Sequence, residues 1–373
     1  MEKKARSHLA RKYRQLVTLE KTFLGYPCDA EFDYAPLYKF LKFPLNNVGD
    51  PYEDSTYRIQ TKEFEREVLK FFAKLLHIRK NDYWGYITNG GTEGNQYGLY
   101  AARETLPKAP VFFSDHTHYS VKKNVHILRM NQCIVRSQPN GEMDYEDFAK
   151  KIRGRKTAIV VANIGTTMTG AVDDIQRITE ILEKHKVRYY IHADAALYGM
   201  VLPFCSDVKF DFRTKINSIA ISGHKFLGSP VPCGILLARK ESIKCLQNYI
   251  EYIGAHDTTL SGSRDAFTPL VLWYRLKTKG LHGFRKQVKY SLSLADYLVS
   301  ELEKIGWPNV GKSYITVWFE RPSQKIVNKW ELAANKDVAH VICLPHESKK
   351  ELHKFVMELH EEVKSAREPS DEL

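Results

Sequence analysis

Short apolar runs alternate with segments of helical periodicity along most of the chain. Apolar side chains recur at helical spacing over 62–76, which predicts a helix there. β-type runs follow at 83–88, 111–113, 133–135, 158–163, 189–192, 218–222 and 234–238. Helical patterns lie between them, for example at 94–105, 145–152 and 176–185. Strands separated by helices predict an α/β fold built on a mainly parallel sheet that is flanked by helices.

The pattern changes at both ends of this α/β region. Residues 1–60 are rich in aromatic residues and prolines and predict an N-terminal arm, whereas residues 61–285 predict a large domain. A long helical stretch begins near Thr268 and leads to residues 286–373. That last part contains strand patterns and a helical pattern, which predict a small C-terminal α+β domain. The patterns lie at 314–319, 338–344 and 349–363.

Composition and charge narrow the class of protein. The 373 residues are 43% hydrophobic and 27% charged, as in ordinary soluble globular proteins. The net charge is +12, but acidic residues are interleaved with the basic ones and no basic–aromatic motif accompanies them, so we expect no nucleic-acid partner. No apolar run is long enough to cross a bilayer, and the charged N-terminus lacks a signal-peptide pattern. Six scattered cysteines without a CxxC pair predict reduced thiols in a cytoplasmic protein that has no membrane partner.

The segment 221–228 places a lysine directly after an apolar strand. Lys225 stands in a Gly-His-Lys turn, where apolar surroundings lower the cost of keeping its amine neutral and nucleophilic. Such an amine can form an imine with an aldehyde cofactor. The alternative is an ordinary surface lysine that follows a strand.

A second apolar strand ends in an acid. Asp194 lies between alanines, and a carboxylate in such a buried place is costly unless it meets a cation. A protonated pyridine nitrogen is such a cation, and a protonated ring is the electron sink that carbanion chemistry requires. Taken alone, Asp194 is also compatible with a cap of the next helix.

A glycine-rich turn follows the strand at 83–88 and opens a helix. Gly90, Gly91 and Thr92 offer backbone N–H groups and a hydroxyl at a helix N-terminus, which suits a phosphate. The turn is neither a Walker loop nor a GxGxxG fingerprint. Taken alone, it is also compatible with a purely structural turn.

Two further strands end in polar residues. The segment 114–120 contains His116 and His118, and an imidazole there can stack on a cofactor ring and meet a substrate carboxylate. The alternative, that both histidines bind a metal, lacks a further ligand cluster, so no metal site is predicted. The segment 165–167 adds the hydroxyl of Thr167. Ligands of open α/β sheets bind beyond the carboxyl ends of the strands, so we expect all these segments to meet at one edge.

In their order along the chain, these segments resemble the motifs of the group II pyridoxal-phosphate decarboxylases. The strings at 85–95, 137–142 and 222–225 resemble bacterial histidine decarboxylases in particular, and plant serine decarboxylases are similar over the same span. The likeness covers essentially the whole chain from about Gly25. It implies fold type I, the fold of aspartate aminotransferase, and a homodimer or higher homo-oligomer with its active site at the subunit interface.

The resemblance also implies a role for each motif residue around pyridoxal 5′-phosphate, which the large domain would bind. Lys225 would be the Schiff-base lysine, and Asp194 would bind the pyridine nitrogen. His118 would stack on the ring and approach the substrate carboxylate, which completes the catalytic set. The remaining residues would hold the phosphate (Gly91, Thr92, Ser222 and His224) or lie near the ring hydroxyl (Thr167).

One segment departs from the family pattern. Members commonly read Gly-Ser-Arg-Asn-Gly-His, then a small residue and proline, whereas this chain has Asp265, Ala266 and Phe267 in place of Asn-Gly-His. If this loop reaches the neighbouring subunit's active site, as the family suggests, the added carboxylate and the lost imidazole alter substrate preference.

The sequence therefore supports the hypothesis that the protein decarboxylates L-histidine to histamine and carbon dioxide. The alternatives are another amino acid, especially serine giving ethanolamine, an aminotransferase on the same scaffold, and a cofactor-free relative. The presence of both Lys225 and Asp194 disfavours the last. Tyr252 and His256 lie on a segment that can form a mobile lid, and either is a candidate for the acid that returns a proton to Cα.

Overall fold

The computed structural model describes residues 2–367, which divide into two compact units. One unit comprises residues 28–288, and the other combines the segment up to Pro27 with the segment from Lys289 onward. The domain boundary predicted after residue 285 lies three residues before this division. The first sixty residues, predicted as an arm, are shared between the two units.

The helices agree well with the patterns seen in the sequence. The three helices predicted between strands are present, and the long helical stretch is also present, with a kink at Gly280 where φ is 59°. In chain order the helices are α1 (Glu2–Leu19), α2 (Lys62–Leu75), α3 (Gly91–Thr105), α4 (Tyr119–Ile127), α5 (Tyr145–Ile152), α6 (Ile175–Lys184), α7 (Phe267–Lys304), α8 (Gln324–Lys329) and α9 (Lys349–Arg367). Short 3-10 helices lie at Glu20–Thr22, Ala35–Lys42, Tyr198–Met200, Leu202–Phe204, Lys240–Ser242, Lys244–Leu246 and Glu251–Ile253.

A seven-stranded sheet forms the centre of the larger unit. Its strands are β1 (Tyr83–Thr88), β2 (Val111–Ser114), β3 (Gln132–Val135), β4 (Thr157–Asn163), β5 (Arg188–Asp194), β6 (Ser218–Ser222) and β7 (Gly234–Arg239). Their spatial order is β1-β7-β6-β5-β4-β2-β3. The pairs among β2 to β6 are parallel, whereas β7 is antiparallel to both β1 and β6. The predicted mainly parallel sheet is thus confirmed, with one reversed strand.

The direction of these strands places the candidate residues together. Because β7 is antiparallel to both of its neighbours, β1 runs in the same direction as β6 and the parallel strands. The segments that follow β1, β2, β4 and β6, and the last residue of β5, therefore lie at one edge of the sheet. This is the edge at which open α/β sheets bind ligands.

Glycines bring α3 unusually close to the sheet. A Cβ atom on Gly94 would lie 2.8 Å from the Cβ atom of Ala220 in β6, and one on Gly98 would lie 2.2 Å from Nδ1 of His192 in β5. Neither distance is possible for a real side chain, so this face of α3 must carry glycine. The close approach lets polar residues of α3 reach the end of β5.

The larger unit also holds a small hairpin, β8 (Asn248–Ile250) with β9 (Ala255–Asp257). The smaller unit is built on an antiparallel sheet of β10 (Gly311–Ser313), β11 (Thr316–Glu320), β12 (Ala333–Ala334) and β13 (Val338–Ile342). Apolar side chains of α9, such as Leu352 and Phe355, are buried in its core with Val317 and Val341. No helix within residues 2–367 has the length and apolar character needed to cross a bilayer.

Candidate active site

Lys225 stands in the turn that follows β6, at the carboxyl edge of the sheet. Burial lowers the pKa of its amine, and the nearby carboxylate of Asp194 and the thiol of Cys28 act in the opposite direction. The Lys225 carbonyl accepts hydrogen bonds from the backbone N–H of Gly228 at 2.9 Å and of Asp29 at 3.2 Å, which fix the turn. A lowered pKa enlarges the neutral fraction of the amine, and attack on an aldehyde needs that neutral form.

Two buried side chains that no sequence pattern marked, Arg275 and Tyr34, hold this turn in place. Arg275 donates from Nε to the Leu227 carbonyl at 3.0 Å and from Nη2 to the Asp29 carboxylate at 2.8 Å. Tyr34 donates from its hydroxyl to the Gly228 carbonyl at 2.9 Å. Asp29 and Arg275 are 246 positions apart, so no local pattern could have revealed this pair.

Asp194 is the last residue of β5 and is 7% exposed. Its Oδ2 accepts a hydrogen bond from Nδ2 of Asn95 at 2.7 Å, and its Oδ1 accepts one from the N–H of Ala196 at 3.2 Å. Burial lowers the pKa of both Lys225 and His118 and the charge of Asp194 opposes this, so the carboxylate lies within electrostatic reach of both bases. The structure thus brings together the amine, the acid and the imidazole that the sequence predicted.

The ring of His118 is held by the start of α4. Its Nδ1 accepts a hydrogen bond from the N–H of Ser120 at 3.3 Å and lies 2.7 Å from the Ser120 hydroxyl. Because a backbone N–H only donates, Nδ1 carries no proton and a neutral ring holds its proton on Nε2. Burial lowers the pKa of His118, Asp194 opposes this, and Lys225 lowers it further, so the ring is uncharged near neutral pH.

The glycine turn, the end of β6 and a histidine ring form a polar cradle. Gly90 has a φ of 140°, which favours glycine, and a Cβ atom there would lie 3.8 Å from Cε1 of His224. A Cβ atom on Gly91 would lie 2.7 Å from the hydroxyl oxygen of Ser222. Nδ1 of His224 lies 2.9 Å from the Cys233 carbonyl oxygen, and burial lowers the pKa of this ring. Together with the first N–H groups of α3, these groups are suited to an anion.

The two predicted threonines follow the ends of β1 and β4. Thr92 is partly buried in the first turn of α3, and its carbonyl accepts a hydrogen bond from Nδ2 of Asn124 at 2.9 Å. Thr167 lies in the turn after β4 and is exposed. The neighbouring Thr166 is buried, and its hydroxyl accepts from the N–H of Ala171 at 2.9 Å. The roles predicted for Thr92 and Thr167 stay predictions.

The loop that departs from the family pattern is tied to the start of α7. Oδ1 of Asp265 accepts a hydrogen bond from the N–H of Phe267 at 2.7 Å, so this carboxylate caps the helix. Ala266 is buried, and its carbonyl accepts from the Thr61 hydroxyl at 2.6 Å. Within this chain, the added carboxylate is therefore engaged in local structure.

The candidate lid residues lie on and beside the hairpin. Tyr252 is 83% exposed, in the 3-10 helix between β8 and β9. Nδ1 of His256 lies 2.9 Å from Oε1 of Glu53. Neither observation identifies the residue that returns a proton to Cα. Among residues 2–367, no three His, Cys, Asp or Glu side chains are grouped as metal ligands would be.

The arrangement fits pyridoxal 5′-phosphate, because it offers an amine for the aldehyde, an acid for the ring nitrogen and a polar cradle for the phosphate. A family model described as the pyridoxal-dependent decarboxylase conserved domain matches residues 52–307. The chain belongs to this family, and it is a pyridoxal-phosphate-dependent decarboxylase of fold type I.

Individual relatives cover nearly the whole chain. It is 46% identical over 332 residues to a histidine decarboxylase of Morganella morganii, with 87% of each chain covered. It is 41% identical over 362 residues to serine decarboxylase 1 of Oryza sativa subsp. japonica, covering 95% of this chain and 75% of the relative. The solved structure of an L-methionine decarboxylase from Streptomyces sp. 590 is similar with a TM-score of 0.88 and 26% identity, covering 97% of this chain and 95% of that one.

Proposed function

We propose that the protein converts L-histidine to histamine and carbon dioxide. The observation that carries this proposal is the meeting of Lys225, Asp194 and His118 at one edge of the sheet in a chain of the decarboxylase family. The choice of histidine rests on the 46% identity to the Morganella morganii histidine decarboxylase.

Each site residue has a proposed role in holding the cofactor. Lys225 would bind its aldehyde carbon, and Asp194 would accept a hydrogen bond from its ring nitrogen. When bound, pyridoxal phosphate supplies an electron-accepting ring that takes up the electrons of the bond to the departing carboxylate. The remaining residues would surround the phosphate and the ring hydroxyl (Gly91, Thr92, Ser222, His224 and Thr167).

His118 is suited to position the substrate carboxylate that is lost as carbon dioxide. Its ring is oriented by the hydrogen bonds of Ser120 to Nδ1, so Nε2–H is free to donate to a substrate oxygen. A charged partner would stabilise the carboxylate before reaction and so raise the barrier to losing it. A neutral imidazole positions the group without that penalty. The charges of Asp194 and Lys225 both affect the pKa of this ring, which supports a shared site for the three residues.

Serine decarboxylation to ethanolamine is the second candidate. The rice serine decarboxylase is only five percentage points less identical than the bacterial histidine decarboxylase, and it covers more of this chain. The two substrates need different side-chain pockets. A histidine pocket needs polar partners for both ring nitrogens, whereas a serine pocket is smaller.

The purified holoenzyme, offered each of the twenty amino acids in turn, tests this choice. We expect histamine and carbon dioxide from L-histidine, and loss of this activity in Lys225→Ala because the substitution removes the amine that would bind the aldehyde carbon of the cofactor. Lys240→Ala is a matched control, since Lys240 also lies just after a strand of the same sheet but is exposed. Ethanolamine from serine as the main product would overturn the histidine assignment. Full turnover by Lys225→Ala would overturn the mechanism.

We also propose a homodimer or higher homo-oligomer, in the cytoplasm, with the active site at the subunit interface. The proposal is supported by the family resemblance, and sedimentation of the holoenzyme would test its oligomeric part. The six free thiols are compatible with a reducing compartment.

A further inference from the structure

A continuous row of buried polar side chains runs from Asp194 into the core. Nδ2 of Asn95 lies 2.7 Å from Oδ2 of Asp194, and Oδ1 of Asn95 lies 3.0 Å from Nε2 of His192. Nδ1 of His192 lies 2.8 Å from the Ser218 hydroxyl, which lies 3.0 Å from the hydroxyl of Tyr190. None of the five residues is more than 7% exposed. The row therefore joins α3, β5 and β6 inside the core of this unit.

The chemistry of each group fixes the direction of every hydrogen bond. Asn95 donates from its NH2 group to Oδ2 of Asp194, which turns its carbonyl oxygen, an acceptor only, toward His192. Burial lowers the pKa of His192 to about 4, so the ring is neutral and has one proton. That proton must be on Nε2 to serve Asn95, which leaves Nδ1 to accept from Ser218. The Ser218 oxygen then accepts from Tyr190, so every donor points toward Asp194.

The close packing of α3 is what makes this row possible. Asn95 lies between Gly94 and Gly98, the two glycines that let the helix approach the sheet. Had Gly98 any side chain, its Cβ atom would fall 2.2 Å from Nδ1 of His192, and the ring could not stay where it bonds both Asn95 and Ser218. The glycines on this face of α3 therefore allow both the close packing against the sheet and the row of hydrogen bonds.

We propose that Asn95, His192, Ser218 and Tyr190 are positioning residues that hold the Asp194 carboxylate correctly oriented for the ring nitrogen of the cofactor. This proposal rests on the assignment of Asp194 to that nitrogen made under the proposed function. Asn95 acts directly on Oδ2, and the three residues behind it fix the orientation of Asn95. Without them, the amide could rotate and place its oxygen against the carboxylate.

The test compares binding of two ligands to the apoenzyme, namely pyridoxal phosphate and its analogue with carbon in place of the ring nitrogen. The unaltered protein should bind pyridoxal phosphate more tightly than the analogue, since only the former has a nitrogen for Asp194. In Asn95→Ala we expect the affinity for pyridoxal phosphate to fall about ten- to a hundredfold, the range for a lost hydrogen bond to a charged group. The affinity for the analogue should change much less, so the preference between the ligands shrinks.

A second pair of variants separates positioning from mere packing. His192→Gln retains one donor and one acceptor and should keep most of the preference for pyridoxal phosphate, whereas His192→Leu removes both and should lose it. Tyr190→Phe removes the hydroxyl donor at the end of the row opposite Asp194. Tyr189→Phe is its control, because the Tyr189 hydroxyl bonds the exposed side chain of Glu183 instead. Circular dichroism of each apoenzyme shows whether it is folded.

The outcomes distinguish two kinds of failure. If the unaltered protein binds both ligands equally, Asp194 does not meet the ring nitrogen, and the proposal falls with that assignment. If it prefers pyridoxal phosphate but folded Asn95→Ala and His192→Leu keep the full preference, the assignment of Asp194 stands and the positioning role is overturned. If Asn95→Ala does not fold, the two His192 variants decide in the same way.

Discussion

Burial lowers the pKa of the basic side chains around the site. It is the largest cause of the lowered pKa of Lys225, His118 and His224, and Asp194 only partly opposes it at the first two. The site thus combines weakened bases with one acid that accepts from Asn95 and Ala196. This combination favours a nucleophilic amine and an uncharged imidazole in the same small space.

The buried His192 predicts a dependence of stability on pH. Its pKa in the folded protein is about 4, whereas the ordinary value is 6.5, so the unfolded chain takes up a proton first as the pH falls. The contribution of the neutral His192 ring to the free energy of unfolding is complete above pH 6.5. It is lost as the pH falls toward 4, by roughly 3 kcal/mol in all. His192→Gln has no such proton to take up, and it serves as the reference that removes the titration of other groups.

Urea unfolding of the two apoenzymes between pH 7 and pH 4 measures this effect. We expect the difference in the free energy of unfolding between the original protein and His192→Gln to shift by about 3 kcal/mol against the original protein on acidification. A difference that stays constant across this range would mean that His192 has no lowered pKa in the folded state.

At the scale of elements, the contact between α3 and the sheet has the greatest influence on the site. This one helix provides the glycine turn, Thr92 and Asn95, and it packs against β5 and β6, whose ends carry Asp194 and Lys225. Any displacement of α3 therefore alters the cradle and the row of hydrogen bonds behind Asp194 at the same time.

Replacement of a single helical glycine tests this contact. Gly98→Ala should destabilise the protein by about 1–3 kcal/mol, because its Cβ atom would overlap the His192 ring. Gly283→Ala is the matched control in α7. Its Cβ atom would meet only the Lys279 side chain, at 3.3 Å, so we expect a change below about 1 kcal/mol. Equal effects of the two substitutions in thermal or urea unfolding would contradict the close packing of α3.

The sequence predicted those elements whose signal is local. β1 and β6 were predicted with their observed bounds, because both are continuous apolar runs that end at a glycine turn or a Gly-His-Lys turn. The reversed direction of β7 was not predicted. Only residues 223–233 join it to β6. A parallel crossover usually needs a dozen residues or more, so this short connection could have indicated the antiparallel direction of β7.

The supporting residues of the site were beyond sequence reasoning. Asn95 stood in the glycine-rich segment, but its partner Asp194 is 99 positions away. The Asp29–Arg275 ion pair spans an even longer separation, and an acid or base of this kind is ordinarily a surface residue. Motifs mark the groups that touch a ligand, whereas the groups that hold them are specified only by the folded chain.

At the scale of the whole molecule, all predicted site residues lie in the unit of residues 28–288. The net charge of +12 favours capture of anions, and both pyridoxal phosphate and an amino-acid carboxylate are anionic. The family assignment accounts for the fold and the cofactor together. The choice between histidine and serine depends instead on the side-chain pocket.

The most direct test of the central claim is to locate the covalent attachment of the cofactor. Borohydride reduction of the holoenzyme makes the bond between pyridoxal phosphate and its lysine permanent, and mass spectrometry of the digested protein then identifies the modified residue. We predict a single pyridoxyl adduct on Lys225. An adduct on another lysine, or none in a protein that still releases carbon dioxide, would contradict the account.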